Sequence, residues 1–214
     1  MIYSDQYMTE FLGYGKVQPM ERNYDSDAKN DQREEVVESF SRTCNKNHNI
    51  LILESSKKHL LKEIYDQRVL FDKIIIANIG DSITLADNEK KYCICHNNTN
   101  VYDILTDYKR LGAIWLDFCG TFGNNQKICE KVFQEADIVD GAMVYFTFSS
   151  RDKFFKRSKN NRLVHYQTQV HIALSEWAYK GNKTLVQRMG ESYPGDNKSH
   201  MYTLGYEVHN FKRR

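Results

Sequence analysis

Short apolar runs, each closed by a polar turn, recur along the chain from residue 49 onward. Ile50-Leu51-Ile52-Leu53, Ile74-Ile75-Ile76-Ala77, Ala113-Ile114-Trp115-Leu116 and Ala142-Met143-Val144-Tyr145-Phe146 show no polar alternation and are too short for helices. That pattern belongs to strands buried on both faces. Tyr92-Cys93-Ile94-Cys95 is a weaker strand of the same kind. Between these runs the apolar positions move to helical spacing. Leu60, Leu61 and Ile64 mark a helix over 57–68, with Ser55-Ser56 as its expected cap. Val101, Ile104, Leu105 and Tyr108 mark 101–110, and Ile128, Val132 and Phe133 mark 126–135. Tyr166, Val170, Ala173, Leu174 and Trp177 mark a long helix over 163–179.

Strands alternating with helices on this period predict a parallel sheet with right-handed crossovers. The end of the chain breaks the pattern. Residues 183–189 and 201–208 are strand-like, and the turn-rich stretch 190–197 leaves no room for a helix between them. They must pair as an antiparallel hairpin. The expectation is an α/β three-layer sandwich with a mostly parallel seven-stranded sheet.

The first 45 residues stand apart. Residues 31–42 read as an amphipathic helix through Val36, Val37 and Phe40, with acidic Asp31, Glu34 and Glu35 at its dipole-favoured start. Too small for its own core, residues 1–45 are expected as a helical extension, packed on the sheet or covering its open end. Residues 46–214 form the α/β domain. Composition adds exclusions. A balance of 30 Lys+Arg against 28 Asp+Glu, net +2, is not that of a uniformly basic DNA-coating protein. No apolar run suits a membrane span, and Met1-Ile2-Tyr3-Ser4-Asp5 lacks the features of a secretory signal. Five cysteines, mostly inside apolar runs, suit a reducing interior, so an intracellular location, cytoplasmic or nuclear, is expected.

Ligands of open parallel sheets bind beyond the carboxyl ends of the strands. Those ends are Glu54-Ser55-Ser56, Asn78-Ile79-Gly80-Asp81, His96-Asn97-Asn98, Asp117-Phe118-Cys119-Gly120-Thr121 and Ser149-Ser150-Arg151. Each is more polar than the strand before it, and together they predict one rim.

Five β-α units closed by a hairpin resemble the class I S-adenosylmethionine-dependent methyltransferases, which are Rossmann-like. The resemblance covers residues 50–209. Ile114-Trp115-Leu116-Asp117-Phe118-Cys119-Gly120-Thr121 is similar to the fourth-strand segment of a divergent group found mainly in viruses and protists. Ala142–Arg151 and Met201-Tyr202-Thr203-Leu204-Gly205-Tyr206 are similar to its fifth and closing strands. The resemblance implies an S-adenosylmethionine-dependent protein, viral and acting on nucleic acid, or a methyltransferase fold kept only for binding. It implies cofactor contacts from Glu54 and Ser55 (methionine part), Asn78 and Asp81 (ribose), Asn97 and Asn98 (adenine), with Asp117 and Phe118 at the fourth strand end. Substrate would meet Cys119, Gly120, Thr121 and Arg151. One departure is plain: the turn Glu54-Ser55-Ser56-Lys57-Lys58-His59 has none of the glycines that usually follow the first strand.

Methyl transfer is an in-line displacement, so the protein must align a nucleophile and take its proton. Asp117 suits a general base or orienting acceptor, and equally a cap for the following helix. Cys93-x-Cys95-His96 has the spacing of alternate strand positions rather than of a zinc site, so no metal is expected. Cys119 has no evident histidine partner for thiol chemistry, and no phosphate-binding P-loop pattern occurs. Lys153, Lys156, Arg157, Lys159 and Arg162 surround Phe154-Phe155, and Lys212-Arg213-Arg214 follow at the end. Basic side chains among aromatics suit phosphate contact and base stacking, making 151–162 the expected nucleic-acid loop; a solvated loop has the same composition.

Overall fold

The structure is a computed structural model describing residues 27–80, 82–118, 120–149, 162–194 and 200–211. Helix α1 (Asp27–Thr43) precedes β1 (Asn49–Leu53), α2 (His59–Asp66), β2 (Ile74–Asn78), α3 (Asp87–Lys90) and β3 (Cys93–Asn97). Then come α4 (Val101–Ile104), β4 (Leu111–Asp117), α5 (Phe122–Gln134), β5 (Ile138–Ser149), α6 (Arg162–Lys180), β6 (Lys183–Pro194) and β7 (His200–Asn210). The seven strands form one sheet in the order β3-β2-β1-β4-β5-β7-β6. The first five are parallel, and β7 runs antiparallel between β5 and β6.

The unbroken apolar runs are explained by two separate cores. Ile50, Ile52, Ile74, Ile76, Ala113, Trp115, Met143 and Tyr145 face one side, where α1 and α2 bring Val36, Val37, Phe40, Leu60, Leu61 and Ile64. Leu51, Ile75, Ala77, Ile114, Leu116, Val144, Phe146 and Phe148 face the other, against α5 and α6. Alternate residues of one strand thus serve opposite layers.

Several boundaries move. The helix expected over 101–110 is reduced to α4, because the chain turns back at Arg110, in the left-handed region at φ 56, to enter β4. Helix α5 begins at Phe122, a turn earlier than its apolar spacing suggested, so Gly120 and Thr121 lead straight into it. Residues 190–194, expected as loop, continue β6: Gly190–Pro194 pair with Leu204–His200 of β7. This end of the edge strand pairs only with β7, the next strand of the hairpin, and needs no apolar pattern. No helix among the described residues is long and apolar enough to cross a membrane.

Candidate functional site

The carboxyl ends of β3, β2, β1 and β4 lie side by side, so Asn97, Asn78, Glu54 and Asp117 share one rim. Neighbouring strands are about 4.8 Å apart, which gives the row the reach of a small molecule.

At the end of β1, the expected serine cap is replaced by Glu54. Lys58 occupies the cap position of α2 with no side-chain bond to the helix amides, while the amides of Ser55 and Leu61 donate to the Glu54 carboxylate at 2.8 Å each. The turn folds this way because the Lys58 amide donates to the Ser55 carbonyl at 3.1 Å, leaving Ser55 and Ser56 exposed. Burial pushes Glu54 above the ordinary carboxylate range, against the opposing pull of the Ser55, Leu61 and Leu60 amides and the Arg33 charge. Lys58 is itself left-handed at φ 54, a conformation glycine normally supplies.

The β2 and β3 ends are built from amides turned back on the chain. Asn78 is buried and its Oδ1 accepts from the Gly80 amide at 2.8 Å. Asn97 Oδ1 accepts from the Ile83 amide at 2.7 Å, and Asn97 Nδ2 donates to the Ile83 carbonyl at 3.1 Å. Asn97 therefore pins the segment between β2 and β3, whereas Asn98 is exposed at φ 53. The same segment is tied to the β1 turn by Lys58 Nζ, which donates to both Glu89 oxygens at 2.9 and 2.7 Å. Burial alone would raise Glu89, but the Lys58 ammonium and the Ala86 amide outweigh it and hold the carboxyl below its usual range.

At the end of β4, Asp117 does not cap α5, whose cap position is Thr121. Its Oδ2 pairs at 2.7 Å with Lys29 Nζ of α1, the two side chains being 22% and 10% exposed. Phe118 turns inward, its ring stacked on Phe148 with centroids 5.5 Å apart. The Gly120 carbonyl accepts from the Ser149 amide at 2.9 Å, joining the β4 and β5 ends. Asp81, Cys119 and Arg151 lie outside the described residues, as do all of residues 150–161, on which most of the expected nucleic-acid segment falls.

Sequence reasoning missed the contribution of α1. A buried relay runs from Trp115 Nε1 to Thr147 Oγ1 (3.1 Å), from Thr147 to the Thr203 hydroxyl (2.8 Å), and from Thr203 to Gln32 Oε1 (2.8 Å). Because Thr203 gives its proton to Gln32, it must accept from Thr147, which fixes the direction. Tyr145 adds a bond to Ser39 at 2.8 Å. One signal was present. Lys29 and Arg33 precede Val36 and Phe40 on the same helical stripe, but a helix begun at Asp31 leaves Lys29 out.

Cys93 and Cys95 lie on the same side of β3. Cys93 faces α2, with Tyr65 Oη 3.1 Å from its sulfur, while His96, offset by an odd number of strand positions, bonds Tyr108. Among the described residues, no group of three or more His, Cys, Asp or Glu is placed to hold a metal ion.

No family model and no curated protein matches the chain by sequence. Solved structures do match by shape. The N-methyltransferase NodS from Bradyrhizobium japonicum WM9, solved with S-adenosyl-L-homocysteine, superposes with a TM-score of 0.56 at 10% identity, over 94% of this chain and 96% of NodS. A geranyl diphosphate methyltransferase solved with GPP and sinefungin gives 0.53 at 8% identity, over 83% and 77%. Trm5b from Pyrococcus abyssi gives 0.58 at 8% identity, covering 87% of this chain and 50% of Trm5b. The fold is that of the class I methyltransferases. At these identities the likeness is one of methyltransferase architecture alone.

The donor set can be tested against the cofactor that this fold implies. A carboxylate has about four acceptor positions. Glu54 accepts from chain amides and Asp117 from Lys29, so both retain capacity toward a ligand. Left-handed Lys58 gives the turn a bend of the glycine type. The β1 and β4 ends thus fit S-adenosylmethionine. Asn97 is committed to Ile83 at both ends of its amide, and Asn98 is the exposed amide there.

Proposed function

We propose that the chain is an S-adenosylmethionine-binding, methyltransferase-like protein whose substrate is a nucleic acid. The observation that carries this is the partly exposed Asp117 carboxylate at the end of β4, oriented by Lys29 beside Glu54 of the neighbouring strand. In this proposal Glu54 and Ser55 hold the amino-acid part of the cofactor, Asn78 and Asp81 the ribose, Asn98 the adenine edge, and Asp117 stands against the cofactor at the fourth strand end. When bound, the cofactor supplies an electrophilic methyl group carried on a sulfonium. Asp117 accepts the proton of the incoming nucleophile, or holds it by a hydrogen bond so that its lone pair is aligned. Cys119, Gly120, Thr121 and Arg151 belong to the substrate side. Lys153, Lys156, Arg157, Lys159 and Arg162 would meet phosphates, and Phe154-Phe155 would stack on bases.

The test is calorimetric titration with S-adenosylmethionine. Saturable heat is expected, with a raised melting temperature. No heat and no thermal shift at millimolar ligand would sink the enzyme.

A second reading is a catalytically silent module that keeps the fold and binds nucleic acid at the basic segment. It is favoured by the engagement of Asn97 on Ile83 and by the glycine-free turn. It expects salt-dependent binding of single-stranded RNA or DNA without cofactor binding.

A further inference from the structure

We infer that Lys29 is a positioning residue of the rim, acting on the bound cofactor and substrate through Asp117; this rests on the cofactor-binding reading above. Lys29 stands in the first turn of α1, close to the positive end of the helix dipole, where a cation is disfavoured. It is also buried, at 8% exposure, where an ammonium is costly unless paired. An apolar residue would bury the same stem without either penalty. The charge is therefore poor value as packing alone, and its 2.7 Å contact with Asp117 Oδ2 gives it a purpose.

The geometry is rigid. Gln32 is tied to Thr203, Ser39 to Tyr145, and Val36, Val37 and Phe40 are fully buried, so the height and rotation of α1 over the sheet are set independently of Lys29. Lys29 can then choose the orientation of Asp117 rather than follow it. One oxygen is taken by the ammonium. Among the described residues no other hydrogen bond or ion pair to this carboxylate occurs, so its second oxygen keeps acceptor capacity at the rim. Arg33, one turn further along the same stripe, is also buried, and its charge acts on Glu54. Residues four apart on a helix are separated by about 6 Å along its axis, close to the spacing of adjacent strands. Helix α1 thus sets the Lys29 cation against the carboxylate at the end of β4 and carries the buried Arg33 one turn further on.

The experiment is a double-mutant cycle of Lys29→Met and Asp117→Asn, read by calorimetry with S-adenosylmethionine and by thermal unfolding without it. Lys29→Met should weaken binding about tenfold or more in the wild-type background, and by less than about twofold in Asp117→Asn, because its route of action is already gone. Lys29→Arg should restore binding to within about threefold of wild type. If Lys29→Met does not fold, Lys29→Gln takes its place in the cycle. Equal weakening in both backgrounds, or wild-type affinity in Lys29→Met, would overturn the inference while leaving cofactor binding in place. No heat from the wild type would overturn the cofactor reading, and the inference with it.

Discussion

The centre and the edge of the rim use polar residues in opposite ways. At the centre, Glu54 and Asp117 are carboxylates on adjacent strands, and each keeps acceptor capacity after meeting its partners. At the edge, Asn97 has both ends of its amide on Ile83, and Glu89 is closed by a two-pronged bond from Lys58. The difference teaches that a polar strand end is not by itself a ligand position. What matters is what each side chain is already committed to: the Asn97 amide is held at both ends by one backbone residue, whereas Asp117 meets a single side chain.

The largest expected effect sharpens the claim that α1 belongs to the centre. Phe40 is fully buried, with its ring centroid 6.0 Å from that of Tyr145. Phe40→Ala should cost about 3–5 kcal/mol in urea unfolding. A cost under about 1 kcal/mol would mean that α1 lies loosely on the sheet. Gly205→Ala attacks the same anchor from the opposite strand. A Cβ at Gly205 would sit 2.3 Å from the Tyr145 ring, pushing the side chain that holds Ser39. The expected loss is about 1–3 kcal/mol, and an unchanged melting temperature would count against it.

Next comes the edge itself. Asn97→Ala should destabilise by roughly 1–2 kcal/mol through the two bonds to Ile83, with cofactor affinity unchanged. Asp117→Asn should differ in that cofactor binding falls, together with some stability, because the buried Lys29 ammonium loses this charge. Calorimetry and melting of both variants together would break the comparison if the two behaved alike.

The smallest effect is in pH. Glu89 lies below its ordinary 4.5 when folded, so its contribution is present above 4.5 and is lost as pH falls through the folded value. Glu54 lies above 4.5 when folded, so its contribution is present below 4.5 and is lost as pH rises through the folded value. Relative to Glu89→Gln, wild type should lose stability on acidification below 4.5. Relative to Glu54→Gln, it should lose stability as pH rises above 4.5. Slopes of the same sign in chemical denaturation would contradict the assignment.

Much of the fold was legible because burial on two faces leaves a mark in one dimension. Ile74-Ile75-Ile76-Ala77 has no polar residue to give to either side, and no short amphipathic helix has that pattern. The rim was legible as a row of polar positions for the same reason: strands must end, and their ends meet water. The hairpin was legible from the absence of a helical stretch, but not its length, because edge residues such as Glu191 and Ser192 pair without being apolar.

The sequence alone determined, then, which apolar runs form strands, that the sheet is mostly parallel with a hairpin at its end, and which side chains stand at its rim. The tertiary structure decided what those side chains face. Asp117 meets Lys29 across 88 positions of sequence, and Thr203 meets Gln32 across 171. Neither pairing leaves a periodic trace, since a single buried contact between distant residues has no local pattern to repeat. Lys29 looks like any other surface lysine until the height of α1 over β4 is known. That height is set by Phe40, Tyr145 and the Thr147–Thr203 relay, which exist only once the sheet has formed.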